Sequence, residues 1–171
     1  MKVYGVTGWK NTGKTGLVER LVTEMVARGL TVSTVKHAHH ETEIDHPGRD
    51  SYRHRQAGAQ QVLVSSPARW ALMEELRGAP EPPLEDLLAR MSPVDLVLIE
   101  GYKRAPHPKI EAHRLETGRT LLAPGNASVR AVASDALPGD MALNGVDVPV
   151  LPLDDTAAIA DFILRDLGLA P

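Results

Sequence analysis

Eight residues, Gly8-Trp9-Lys10-Asn11-Thr12-Gly13-Lys14-Thr15, constrain this chain more than any others. They match G-x-x-x-x-G-K-[ST], the phosphate-binding loop that joins a strand to a helix. Gly8 and Gly13 let the backbone turn tightly, so that the N–H groups of the loop, those of Lys10, Asn11 and Thr12 among them, point inward at phosphate oxygens. Lys14 reaches the β- and γ-phosphates, and the Thr15 hydroxyl ligates Mg²⁺. A helix beginning at the end of the loop aims its positive end at the same anion. The flanks supply the context the motif requires. Val3-Tyr4-Gly5-Val6-Thr7 is a β-prone run, and Leu17, Val18, Leu21, Val22, Met25 and Val26 recur at helical spacing. Gly29 stands where a helix C-cap glycine belongs.

At 171 residues the chain has the size of one domain, and nothing in it reads as a linker or an internal repeat. A single phosphate-binding domain over 1–171 is the expectation. Hydrophobic content of 43% and charged content of 24% are ordinary for a globular protein and disfavour disorder. The net charge of −3 argues against broad nucleic-acid or anionic-membrane binding. With no cysteine, disulfides, thiolate metal sites and cysteine nucleophiles are excluded. Met1-Lys2 leads straight into the first β-prone run without a signal-peptide core, and no apolar run approaches the roughly 20 residues of a bilayer span. The cytoplasm is the expected compartment.

Further elements follow from local pattern. Strands are expected at Leu30 to Val35, Gln61 to Ser65, Arg69 to Leu76 with a helix as the competing reading there, Val94 to Ile99, Lys109 to His113, Val129 to Ser134 and Val148 to Leu151. Helices are expected at Ser51 to Ala57, Leu84 to Met91 and Thr156 to Leu167, and Lys36 to Asp50 reads as a loop. The alternation predicts an α/β fold of the three-layer P-loop NTPase type, with a mostly parallel sheet, helices on both faces and a small β extension. Such sheets bind ligands outside the carboxyl ends of their strands. Gly8, Lys36-His37, Glu100-Gly101 and Ser134-Asp135 would then share one edge.

Glu100 follows the run Leu96-Val97-Leu98-Ile99 and is the candidate acidic partner of the phosphate loop, holding Mg²⁺ through water or orienting an attacking water. Asp95 competes for that role but lies five residues earlier, roughly 17 Å away at about 3.3 Å per residue, at the other end of the strand. The histidine-rich run of His37, His39, His40 and His46 has imidazoles suited to Zn²⁺ or Ni²⁺, but no H-E-x-x-H or cysteine pattern goes with it. A polar loop beside the phosphate site is the favoured reading. Asp50 or Ser51 could cap a helix, and Arg49, Arg53 and Arg55 are candidate phosphate clamps. Asp135, at a strand end, could accept from guanine N1 and N2. Since no N-K-x-D motif is present, spacing alone leaves GTP and ATP open.

The run Val35-Lys36-His37-Ala38-His39-His40, then Ile44 to Arg55 with Asp45-His46-Pro47-Gly48-Arg49-Asp50-Ser51-Tyr52, then Ala57-Gly58-Ala59, resembles the MobB family of molybdopterin-guanine dinucleotide biosynthesis adapter proteins. Ile99-Glu100-Gly101-Tyr102-Lys103 with Pro108-Lys109-Ile110-Glu111, and Ala133-Ser134-Asp135, resemble two further blocks of that family. The resemblance covers most of the chain through about Asp135. It implies a GTP-binding P-loop protein with weak GTPase activity, a cytoplasmic homodimer. Its partners would be the guanylyltransferase that joins GMP to molybdopterin, and the molybdenum cofactor or its precursor. By position, Gly8 to Thr15 would bind GTP and Mg²⁺, with Glu100 the Walker-B acid and a second metal contact beside Thr15. Asp50 would join Glu100 in catalysis, and His37 and Ser51 would lie beside the phosphates. Lys10 is similar to the signature lysine of dimeric P-loop ATPases, but its offset differs, so it is taken as a loop residue. Gly16 departs from the family pattern, where a second hydroxyl residue often follows Lys-Thr. A small-molecule P-loop kinase and a metallochaperone GTPase remain the alternatives. The first would need a lid that Arg49 to Arg55 only imitates, and the second would use the histidines.

Overall fold

The structure is a computed structural model that describes residues 1–38, 43–137 and 139–169. His39 and His40, two members of the histidine-rich run, lie outside the described residues. In chain order the elements are β1 (Lys2–Thr7), α1 (Lys14–Ala27), β2 (Val32–Lys36), α2 (Asp50–Gln56), β3 (Gln61–Ser65), β4 (Trp70–Glu74), α3 (Leu84–Ala89), β5 (Leu96–Glu100), β6 (Lys109–His113), β7 (Val129–Ser134), β8 (Val150–Pro152) and α4 (Thr156–Asp166). They divide between two compact units, Met1–Ala38 with Pro93–Pro171, and His39–Ser92. Among the described residues no helix is long and apolar enough to cross a membrane.

The first unit is built on a six-stranded sheet in the order β2-β5-β1-β6-β7-β8, and every neighbouring pair in it is parallel. This is the three-layer α/β P-loop NTPase fold that the alternation of elements predicted. The register aligns the carboxyl ends: Val6 pairs with Glu100, Lys36 with Glu100, Thr7 with Glu111, and His113 with Ser134. Strand alternation sends Tyr4, Val6, Leu96, Leu98, Ile110, Ala112, Ala131 and Ala133 to one side. There they form a core with Leu17, Leu21 and Met25 of α1 and Ile159, Ala160 and Ile163 of α4. Asp155 caps α4 by accepting from Ala158 N at 3.0 Å.

Two boundaries differ from expectation for local reasons. Leu30 was expected to open a strand, but its N–H bonds back to Met25 O at 3.1 Å behind Gly29 at φ +86°, a Schellman closure of α1. Strand β2 therefore starts at Val32. Asp95 was expected inside a strand; instead its carboxylate accepts from Thr31 N at 2.8 Å and Thr31 Oγ1 at 2.6 Å, and β5 begins after it.

Every residue of β6 is buried although its sequence is Lys-Ile-Glu-Ala-His. Partners from the flanking segments and from β7 make that possible. Lys109 Nζ donates to Ala105 O and to Ser128 Oγ at 2.6 Å. Glu111 accepts from Leu122 N and Ala123 N at 2.8–2.9 Å. His113 Nδ1 lies 2.9 Å from Ser134 Oγ.

In the second unit β3 and β4 form an antiparallel hairpin, the expected β extension. Arg55 ties its surroundings together, bonding Glu75 at 2.6 Å and pairing with Glu43. One face of the hairpin carries Leu63, its cross-strand partner Leu72, and Trp70. These remain 62%, 48% and 67% exposed.

Candidate phosphate-binding site

The loop between β1 and α1 is shaped by a close approach. Gly8 has φ +137°, and a β-carbon there would meet Ala112 O at 2.4 Å and Thr12 Oγ1 at 2.7 Å, so no larger residue fits without moving β6. Inside the loop, Thr12 Oγ1 donates to Trp9 O at 2.9 Å, and Lys14 Nζ donates to the same carbonyl. Gly13 is the N-cap of α1 with φ +88° and gives no side-chain hydrogen bond, so the positive end of the helix opens into the loop.

Across one side of β1, the tips of β5 and β2 bring an acid to the loop. Thr15 Oγ1 donates to Glu100 Oε1 at 2.9 Å, and Lys36 Nζ stands 3.7 Å from Glu100 Oε2. His37 N donates to Glu100 O at 2.9 Å, and its ring stacks on Tyr102 with centroids 4.3 Å apart. Gly101, at φ +100°, leaves space for this stack; a β-carbon there would lie 3.0 Å from His37 Cβ. Burial holds the Lys14 ammonium below the usual lysine range. Glu100 opposes that shift, and the charges of Lys103 and Lys36 add to it. The positive charges of Lys14, Lys36 and Lys103, which act on one another here, make a site that favours a polyanion.

The other side of β1 holds residues that sequence reasoning passed over. Trp9 donates from Nε1 to Thr120 O at 2.8 Å. Lys103 Nζ sits 4.3 Å from its ring centroid and Arg119 lies at 6.0 Å, both cation–π contacts. Arg114, one residue past β6, lies over Gly13, with Nε 3.1 Å and Nη2 3.7 Å from where a β-carbon of Gly13 would be. The rule that placed Glu100 at the edge also covers the tip of β6, so the signal for Arg114 was its position after Lys109 to His113. Asp135, offered as a guanine reader, accepts from Leu115 N at 2.9 Å and stands 4.0 Å from Arg114 Nη1.

In the second unit Asp50 and Ser51 open α2. With Asp45, His46, Arg49, His54 and the β3 residues Val62 to Ser65 they line an open cavity of about 520 Å³. Arg53 stands 3.7 Å from Asp50, whereas Arg55 is committed to the acids around it.

Residues 3–135 match the family model of MobB, molybdopterin guanine dinucleotide synthesis protein B. The chain belongs to the MobB family. It is 41% identical over 160 residues to the molybdopterin-guanine dinucleotide biosynthesis adapter protein of Escherichia coli, covering 92% of this chain and 88% of that protein. It is 43% identical over 122 residues to the protein of the same name from Haemophilus influenzae, covering 70% and 67%. Among solved structures, a MobB from Bacillus subtilis superposes with a TM-score of 0.72 at 27% identity, covering 98% of each chain. A MobB homologue from Bacillus stearothermophilus gives 0.68 at 28% identity, covering 98% and 99%.

The MobB match ends at Asp135, yet the fold continues through β8 and α4, and Leu153 just after β8, with Ile159 and Ile163 of α4, completes the core under α1. The donor set of this MobB-family chain suits a magnesium polyphosphate. The loop and the uncapped start of α1 present N–H groups, Lys14 adds a charge, and Thr15 with Glu100 offers hard oxygen ligands. Among the described residues no cluster of three or more His, Cys, Asp or Glu could hold a metal by itself.

Proposed function

We propose that this chain is a GTP-binding adapter, with weak GTPase activity, that assists the attachment of GMP to molybdopterin in molybdopterin-guanine dinucleotide biosynthesis. The contact between Thr15 and Glu100 beside Lys14 carries the reading, because it joins the hydroxyl and the acid that a nucleotide-bound Mg²⁺ requires. Family membership and the names of the relatives from Escherichia coli and Haemophilus influenzae supply the pathway. In this reading the backbone of Gly8 to Thr15 and the Lys14 ammonium hold the phosphates, and Thr15 and Glu100 face the metal. Mg²⁺ would supply charge neutralisation at the β- and γ-oxygens. His37 and Asp135 complete the proposed set in the first unit, and Asp50 and Ser51 are the proposed residues of the second unit. The partners are the molybdopterin guanylyltransferase, the molybdenum cofactor or its precursor, and a second copy of the chain, in the cytoplasm.

Calorimetric titration with GTP and with ATP, each in Mg²⁺, tests this. Stoichiometric GTP binding with ATP much weaker, together with faster GMP transfer when the chain is added to the guanylyltransferase, is the expected result. Phosphoryl transfer from nucleotide to a small metabolite would replace the adapter by a kinase.

A further inference from the structure

A nucleoside triphosphate has two ends, and the loop has two sides. Thr15 and Glu100 mark the metal end, on the β5 side of β1. Across β1, at the tip of β6, Arg114 lies over Gly13. We propose that Arg114 is a nucleotide-binding residue of this site that contacts the phosphate next to the nucleoside, the α-phosphate. The inference rests on the P-loop reading above and extends it.

Three observations carry it. First, the guanidinium stands where a cation is disfavoured in the absence of an anion. It packs on the N-cap of α1, the positive end of that helix, one residue from Lys14. Its ionic partner among the described residues, Asp135, is 4.0 Å away, with both side chains about one third exposed. That is a long contact for a guanidinium–carboxylate pair and leaves the planar fork of donors available.

Second, the backbone around Arg114 is held on both sides. Its carbonyl accepts from Thr117 N at 3.2 Å and Thr117 Oγ1 at 2.8 Å. The next N–H, that of Leu115, donates to Asp135 Oδ1 at 2.9 Å. Asp135 thus orients the arginine through the neighbouring peptide, and an arginine oriented in advance loses less side-chain freedom on binding.

Third, the first turn of α1 has no side-chain donor for that end of the phosphate chain. The Thr15 hydroxyl is engaged with Glu100 on the metal side, and position 16 is glycine. Space does not require the glycine: a β-carbon on Gly16 would meet Arg20 Nη1 at 3.7 Å, an ordinary contact. Arg114, over Gly13 at the start of the same turn, is left to supply the donor.

The test is calorimetry in Mg²⁺ with GTP, GDP and inorganic pyrophosphate as probes. Arg114→Gln is expected to weaken GTP and GDP by about 10- to 100-fold, the loss of charge-assisted bonds to one phosphate. Pyrophosphate, which occupies the positions of the outer two phosphates, should change less than about twofold. Adding Gly16→Thr to Arg114→Gln should recover part of the GDP affinity by supplying a hydroxyl. Arg114→Lys preserves the charge and stem and should fall between the parent and Arg114→Gln, which keeps the test open if the glutamine variant folds poorly by circular dichroism. GTP binding by Arg114→Gln within twofold of the parent overturns the proposal, as does an equal loss for pyrophosphate. Lys14→Ala separates the two levels: it must lose all three probes, and if it does not, the P-loop reading falls and this inference with it.

Discussion

The Thr15 hydroxyl donates to the Glu100 carboxylate across 2.9 Å, although 85 positions separate them in the chain. The parallel register of β1 with β5 brings them together, because Val6 pairs with Glu100 and places the acid opposite the start of the loop. Glu100→Gln keeps the shape and removes the charge. Hydrolysis should fall about 100-fold while GTP affinity changes little, since in the proposed function the group would act on the metal or the attacking water. Asp95→Asn, at the other end of the same sheet and bonded to Thr31, should leave turnover unchanged and lower the urea midpoint. Single-turnover assays of both variants decide it; a larger turnover loss from Asp95→Asn would remove Glu100 from the account.

Lys14→Ala should weaken GTP binding by at least about 100-fold, because charge-assisted bonds to two phosphates are lost. The fold should persist, since among the described residues the Lys14 ammonium bonds the Trp9 carbonyl of its own loop. Calorimetry alongside circular dichroism checks both halves of this expectation.

The face of Leu63, Trp70 and Leu72 should pair two copies of the chain. An alternating apolar face that stays this exposed needs a cover, and a two-fold contact would use the same patch on each copy. Light scattering should give a dimeric mass at micromolar concentration, and Trp70→Glu should give a folded monomer. A wild-type chain that is monomeric under those conditions would sink the dimer.

Burial pushes the Lys109 ammonium down to about 8 from 10.5. The folded chain therefore releases this proton near pH 8 and the unfolded chain near 10.5. Between those values the unfolded state binds more protons, so the stability contributed by this group rises with pH across that window. Urea midpoints of the parent and of Lys109→Met at pH 7.5 and 9.5 should show a gain in the parent that the variant lacks. The same response in both would mean that Lys109 keeps its proton.

The backbone plan was legible because its signals are local. The P-loop spacing, the Leu96-Val97-Leu98-Ile99 run and the helical recurrence of Leu17, Leu21 and Met25 each name an element and a face. From parallel strands the edge that joins Gly8, His37 and Glu100 followed. What was not legible depends on partners distant in sequence. Lys109, Glu111 and His113 look like solvent-facing residues until Ser128, Leu122 and Ser134 appear beside them. Arg114 reads as one surface arginine among many, and only the close approach to Gly13 separates it from Arg53, which stands in the solvent near Asp50. Asp135 was legible as a strand-end acid, but its bond to Leu115 N was not.

Strand β6 also bears on how the chain survives its own synthesis. Parallel sheets assemble late, so their strands spend time unpaired, and low-charge apolar segments such as Leu96 to Ile99 are then able to stack with copies of themselves. Lys109 to His113 resists this. In-register stacking would set lysine against lysine and glutamate against glutamate, a like-charge ladder that is unfavourable at every layer. The middle of the sheet is thus filled by a segment that becomes a good strand only inside its own fold, between β1 and β7.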